Sequence, residues 1–282
     1  MTVNDALGRG AARLAEAGVS DPNLDAEALL RHVLGWDRAA LLARGPEPVA
    51  DGAASRFVAL VDERARRRPL QHLTGVQAFW RHDFAVGPDA LIPRPETELI
   101  VEAALDRLRG ALRPVFVDVG TGSGCIALSV AGELPAAVVH ATEVSPAALR
   151  VARDNARRLG LEGRVWFHEG DLLAPVRALG PFDMVASNPP YVDPVHFAAL
   201  PPEVRDHEPR LALVPPGSDA CGMYRRLVPE ARASLKPRGV LLLEIGQGMA
   251  DDVCAICAGA GLAVERILPD LQGIPRTIVA LA

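Results

Sequence analysis

The chain has 282 residues, 49% hydrophobic and 4% aromatic, enough for one large or two modest domains whose cores are built mainly from Ala, Val and Leu. Its net charge of −5, with Lys236 the only lysine among 30 basic residues, argues against a general nucleic-acid binder, which needs a basic excess. No apolar run approaches the roughly 20 residues of a membrane span, and no basic-then-apolar start marks a signal peptide, so a cytoplasmic protein is expected.

Residues 1 to about 75 carry helical periodicity. Helices are expected near Thr2–Ala17, from Asp25 to Leu34 with Gly35 as the stop, and from Asp51 to Arg67 ahead of Pro69. Leu24, Ala28, Leu29 and Val33, with Phe57, Leu60 and Val61, recur at spacings that make one face of a small bundle. The run Arg64-Ala65-Arg66-Arg67-Arg68 reads as a solvated helix end that complements the carboxyl-terminal dipole; a contact with nucleic acid or another acidic partner is the sharper alternative. Gln77–Val86 alternates as a hairpin, and Pro93 and Pro95 punctuate the entry to a second domain. The division expected is therefore a helical domain at 1–75, a hairpin linker at 76–94 and the second domain at 95–282.

From Val115 the pattern alternates strand and helix. Strands are expected at Val115–Val119, Val138–Thr142, Val165–His168, Phe182–Ser187, Val240–Ile245, Ala263–Ile267 and Thr277–Leu281. Helices such as Ile126–Leu134, Pro146–Leu159 and Met223–Leu235 lie between them. Seven strands in that alternation predict an α/β, doubly wound, mostly parallel sheet with helices on both faces. Cys125, Cys221, Cys254 and Cys257 suit a reducing compartment. Cys254 and Cys257 form a C-x-x-C, but with no second Cys or His pair nearby they read as small helix residues, and no metal site is expected.

Ligands of such sheets bind at the carboxyl ends of the strands. The first strand ends in Asp118-Val119-Gly120-Thr121-Gly122-Ser123-Gly124-Cys125, whose glycines permit positive φ and close backbone approach. A dinucleotide fingerprint needs glycine where Cys125 stands. With Asp118 before it, the loop instead suits the amino-acid half of S-adenosylmethionine, the methyl-donor cofactor. The second strand ends at Glu143, about the distance from Gly120 expected of an acid that holds ribose hydroxyls. Glu143 is also placed to cap the helix that opens at Pro146. After the third strand, Asp171 and Leu172 offer a carboxylate to an adenine amine and an apolar face to its ring. The fourth strand ends in Asn188-Pro189-Pro190-Tyr191. Two prolines supply carbonyl acceptors and no N–H donors, Asn188 adds an acceptor, and Tyr191 a flat face. Such a loop accepts both hydrogens of an –NH₂ group.

Asp118 to Gly124, Glu143, Asp171 and Asn188 to Tyr191, in that order, resemble the class I S-adenosylmethionine-dependent methyltransferases. Five segments narrow the likeness to the release-factor glutamine methyltransferases, the PrmC/HemK family: Gln71–Gly75, Leu91–Glu98, Gly120–Leu128, Ser187–Tyr191 and Leu243–Gly246. That resemblance implies methylation of the glutamine side chain in the Gly-Gly-Gln loop of peptide chain release factors, with the helical domain docking the protein substrate. It implies that Gly120, Thr121, Gly122, Ser123 and Gly124, after Asp118, cradle the methionine part of S-adenosylmethionine, Glu143 its ribose, and Asp171 and Leu172 its adenine. Asn188 is implied to touch cofactor and substrate, Asn188, Pro189 and Tyr191 to be catalytic, Pro189, Pro190 and Tyr191 to complete the glutamine pocket, and Arg94, Pro95 and Glu96 to line its mouth. A monomer without stable nucleic-acid binding is expected. Glu143 departs from a usual Asp, Val214–Gly222 from a simpler glycine-rich stretch, and Met249 from a frequent glutamine.

Three alternatives share these motifs: an amino-methyltransferase of adenine or guanine in nucleic acid, a glutamine methyltransferase of a ribosomal protein, and a cofactor-binding module without turnover.

Overall fold

A computed structural model describes all 282 residues. They form two compact units, Met1–Val76 with Pro201–His207, and Gln77–Leu200 with Glu208–Ala282.

The first unit is helical: α1 (Val3–Glu16), α2 (Pro22–Leu34), α3 (Arg38–Ala43), α4 (Asp51–Ala65) and α5 (Leu70–Thr74). Thr2 and Asp5 close a capping box at the start of α1, each side chain accepting from the other's backbone N–H at 3.2 and 2.9 Å. Helix α2 starts three residues before the expected Asp25, because Pro22 fits the first helical position, and it ends where Gly35 turns left-handed. Its inward face is Ala26, Leu29 and Leu30, packed with Val3, Leu14, Phe57 and Val61; Leu24, expected inside, is 58% exposed. A Cβ on Gly10 would sit 2.7 Å from the Phe57 ring, so only glycine lets α1 approach α4 this closely.

The basic run at the end of α4 is not simply solvated. Arg64 is buried and donates to Asp25 at 2.7 Å and to Glu203 at 3.0 Å; Arg67 donates to Glu203 at 2.8 Å. Burial alone would push the Glu203 carboxyl up, yet the hydrogen bonds from Arg67 and Arg64 hold it below the usual range. Glu203 lies on the short helix Pro202–His207, which the sequence pattern does not reveal, so the acidic partner of this run lies within the same chain. Arg64→Ala strands Asp25 with unpaired charge, leaves Glu203 to Arg67 alone, and is expected to cost about 3 kcal/mol. Faster hydrogen exchange in α2 and α4, with the second unit unaffected, is the measurement that checks it.

The second unit opens with the hairpin β1 (Val76–Phe79) and β2 (His82–Ala85), followed by α6 (Glu98–Leu108). Then come β3 (Val115–Val119), α7 (Cys125–Glu133), β4 (Val138–Glu143), α8 (Pro146–Arg158), β5 (Val165–Glu169) and β6 (Phe182–Ser187). After α9 (Pro202–His207), which belongs to the first unit, come α10 (Arg210–Leu213), α11 (Gly222–Ser234), β7 (Leu235–Glu244), α12 (Ala250–Gly259), β8 (Ala263–Pro269) and β9 (Pro275–Leu281). The seven-stranded sheet runs β5-β4-β3-β6-β7-β9-β8, parallel from β5 to β7 and antiparallel at β9 and β8. Strand order reverses at β3, with β4 on one side and β6 on the other, so a crevice opens between the strand ends there.

Both faces of the sheet are covered, as near-continuous apolar strands require. Phe116 on β3 packs with Ile100 and Ala104 of α6 and Ile126 of α7, while its neighbour Val117 packs on the other face with Leu227 and Val228 of α11 and Val253 of α12. Strand β7 begins at Leu235, five residues before the expected start. Regular pairing is interrupted between Leu235↔Phe182 and Val240↔Met184, which is where the apolar pattern begins. The hairpin is part of the core, because Phe79 and Phe84 are buried with α6 and α7. Cys254 and Cys257 lie on α12, where burial pushes the Cys257 thiol up to about 12. No helix is long and apolar enough to cross a membrane.

Candidate active site

A cavity of about 450 Å³ lies at the carboxyl ends of β3, β4 and β6, entirely within the second unit. It gathers most of the site residues expected from sequence. Gly120, Thr121, Gly122, Ser123, Glu143, Asp171, Leu172, Asn188, Pro189, Pro190 and Arg94 all line it.

The glycine loop is held from behind. The N–H groups of Gly120 and Thr121 both donate to the Thr142 carbonyl, at 2.9 and 3.0 Å, tying the loop to the end of β4. Asp118 does not line the cavity. It is fully buried, and its Oδ2 accepts from the Thr121 hydroxyl at 2.6 Å and the Ala127 N–H at 3.2 Å. Burial pushes its carboxyl up to about 7, against those two donors. Its role is to shape the loop. Gly124 is likewise not a lining residue: at φ +85° its Cβ would fall 2.9 Å from Leu128, so it admits helix α7. Gly120 and Gly122, at φ +72° and +57°, face open space, which leaves backbone exposed for a ligand. Asn155 on α8 donates to the Ser123 carbonyl at 2.9 Å and brackets Ala85 of the hairpin from both sides.

Glu143 fills the structural role the sequence allowed, bracing the glycine loop and the start of α8. Its Oε2 accepts from Gly122 N–H and its Oε1 from Ser145 N–H, each at 2.9 Å, while Ser145 caps α8. Each carboxylate oxygen keeps a further lone pair for a ligand hydroxyl. Leu172 is held at φ +47°, a strained choice for a branched residue, and presents its side chain to the cavity. Asp171 pairs with Arg226 of α11 at the rim, a partner nothing in the local sequence announced.

The tetrapeptide after β6 divides between the cavity and the protein behind it. Asn188 donates through Nδ2 to the Thr97 hydroxyl at 3.2 Å. Thr97 in turn is 2.6 Å from Glu244 Oε2, and Tyr191 donates to Glu244 Oε1 at 3.3 Å. Tyr191 is therefore a supporting side chain and not a lining one, and burial beside the Glu244 carboxylate raises its phenol. Met249 lies behind Gly246, where a Cβ would meet its sulfur at 2.8 Å and the Tyr191 ring at 3.0 Å. Pro95 and Glu96 begin the turn that carries Thr97 and do not line the cavity; Arg94 does, and pairs with the buried Glu208 at 2.5 Å. Residues not expected from sequence complete the wall: Thr97, Leu211, Met223, Arg226, and Pro216 from the divergent segment. Cys125 also lines it, but burial pushes its thiol up to about 12, so it offers no nucleophile.

Comparison with known proteins decides among methyltransferase families. Residues 5–75 match the family model described as PrmC N-terminal domain, and residues 97–200 the Methyltransferase small domain. A release factor glutamine methyltransferase of Moorella thermoacetica is 48% identical over 282 residues, covering 99% of this chain and 98% of the relative. One from Deinococcus radiodurans is 44% identical over 280 residues, with the same coverage. The chain belongs to the release factor glutamine methyltransferase family. Among solved structures, a methyltransferase from Pyrococcus furiosus is similar in fold, with TM-score 0.54 at 21% identity over 78% of this chain and 98% of that one. As a member of the release factor glutamine methyltransferase family, the protein is an S-adenosylmethionine-dependent methyltransferase. The cavity fits that cofactor on its own evidence, with open backbone at Gly120 and Gly122, a carboxylate at Glu143 and an apolar shelf at Leu172.

Proposed function

We propose that this enzyme methylates the side-chain amide nitrogen of the glutamine in the Gly-Gly-Gln loop of peptide chain release factors. The observation that carries the reading is the Asn188-Pro189-Pro190 turn on the wall of the same cavity as Gly120, Gly122 and Glu143. An acceptor-rich, donor-poor turn beside a methyl-donor site suits a neutral carboxamide.

When bound, S-adenosylmethionine supplies an electrophilic methyl on a sulfonium. Gly120 to Gly122 would hold its amino-acid part, Glu143 would accept from its ribose hydroxyls, and Asp171 and Leu172 would flank its adenine. Asn188 Oδ1 and the Pro189 carbonyl accept the two amide hydrogens of the glutamine. A carboxamide nitrogen is a poor nucleophile because its lone pair is delocalised. Two acceptors on its hydrogens would favour the positive charge that builds on nitrogen, and they would orient its lone pair for in-line attack. Transfer would form the N–C bond as the donor's C–S bond breaks, and the nitrogen would then release its proton to water. Pro190 stiffens the turn, Tyr191 braces it from behind, and Arg94 stands at the entrance. The helical unit, Met1–Val76 with Pro201–His207, serves to hold the release-factor body. Translation termination places this reaction in the cytoplasm.

The test is incubation with a purified release factor and methyl-labelled cofactor, followed by mass spectrometry of the Gly-Gly-Gln peptide. One methyl on that glutamine is expected. Label on another glutamine, on a ribosomal protein or on nucleic acid, with none on the Gly-Gly-Gln peptide, overturns the reading.

A further inference from the structure

We infer that Thr97 and Glu244 are positioning residues that fix which end of the Asn188 amide faces the substrate. The inference deepens the proposed function and rests on it.

An asparagine amide has an acceptor end and a donor end of nearly the same shape, and only the acceptor end can take a substrate N–H. Here a chain of hydrogen bonds chooses between them. An ionised Glu244 can only accept, so the Thr97 hydroxyl, 2.6 Å from its Oε2, must donate to it. With its proton committed, the Thr97 oxygen can only accept from Asn188, 3.2 Å away, which turns Nδ2 toward Thr97 and leaves Oδ1 for the cavity. Tyr191 donates to the other carboxylate oxygen at 3.3 Å and braces it, while Tyr224 anchors the Glu244 backbone through its carbonyl at 2.7 Å. Thr97 is itself 2% exposed, too buried to be a casual surface contact.

Protonating Glu244 removes the constraint. Its O–H can then donate to Thr97, Thr97 can donate to Asn188, and the amide is free to present –NH₂ to the substrate. Burial, with repulsion from Glu96, raises the Glu244 carboxyl to about 7, against the donors Thr97 and Tyr191 and the charge of Arg276. Among the groups beside it, Tyr191 and Tyr224 are raised above the ordinary phenol, and Cys125 stands at about 12. Asp118, also raised to about 7, holds the glycine loop and so acts on cofactor binding, a separate readout.

The experiment measures kcat and KM for a release factor against pH at saturating cofactor, with cofactor affinity by calorimetry, for wild type, Thr97→Ser, Thr97→Val and Glu244→Gln. Wild-type transfer is the control for the substrate itself: if it fails, the functional reading falls. If wild type transfers, its kcat is expected to rise with pH through one ionisation near neutrality. Thr97→Val should lower kcat by about 10- to 100-fold, the range that outer-shell partners command elsewhere, with cofactor affinity unchanged. Thr97→Ser should restore both the rate and the acid limb, and Glu244→Gln, which cannot titrate, should lose that limb. A Thr97→Val enzyme with wild-type kcat, a loss of rate matched by a loss of cofactor affinity, or an acid limb that survives in Glu244→Gln overturns the inference. Should Thr97→Val fail to fold, the Glu244→Gln profile decides alone.

Discussion

Asn188→Ala is expected to lower single-turnover methyl transfer by roughly two to three orders of magnitude, the usual cost of one preorganised group aimed at developing charge. Cofactor affinity should fall only modestly. The physical reason is the division of labour in the cavity. Gly120, Gly122 and Glu143 line the cavity at the ends of β3 and β4 and Asn188 lines it at the end of β6, so in the proposed reading the first three hold the cofactor and Asn188 takes the substrate amide. Removing Asn188 also leaves the Thr97 hydroxyl without the amide that donates to it, but Thr97 keeps its bond to Glu244, so the fold should hold. Asn188→Asp separates charge from geometry: it keeps an oxygen in place but loses the donor that Thr97 requires. Rapid-quench measurement of the chemical step, with cofactor affinity measured alongside, checks the prediction; a near-wild-type rate for Asn188→Ala would remove Asn188 from the mechanism.

Glu143→Ala is expected to weaken S-adenosylmethionine binding by about a hundredfold or more. Two hydrogen bonds from ribose hydroxyls to a carboxylate contribute about 1.5–3 kcal/mol each. The loss is compounded because the same carboxylate accepts from Gly122 and Ser145, so truncation also frees the glycine loop and the start of α8. Glu143→Asp shortens the reach by one methylene and should retain a large share of the affinity, since the chemistry is preserved. Calorimetry with S-adenosylhomocysteine gives the affinity without turnover. If Glu143→Ala binds as wild type does, its carboxylate is only a loop brace, and the cap reading alone stands.

The largest surprises of the structure come from residues far apart in sequence. Arg64 read as a solvated helix end because its neighbours are arginines. It is buried because Asp25 and Glu203, distant along the chain, satisfy its guanidinium. Asp118 and Gly124 carry the motif that marks a cofactor loop, yet neither lines the cavity; one ties the loop down and the other admits α7. Tyr191 belongs to the most telling tetrapeptide and stands behind it.

What the chain determined by itself is local. Alternating apolar strands and amphipathic helices fix the α/β class, glycine spacing fixes a backbone-lined loop, and two prolines after Asn188 fix an acceptor turn, because each depends on neighbours a few residues away. The sheet order, the antiparallel pair β8 and β9, the pairing of Asp171 with Arg226, and the line from Glu244 through Thr97 to Asn188 are long-range. Burial sets the Glu244 carboxyl near neutrality, its ionised form accepts the Thr97 hydroxyl hydrogen and leaves that oxygen to accept from Asn188, and this meeting of distant residues exists only once the strands have met.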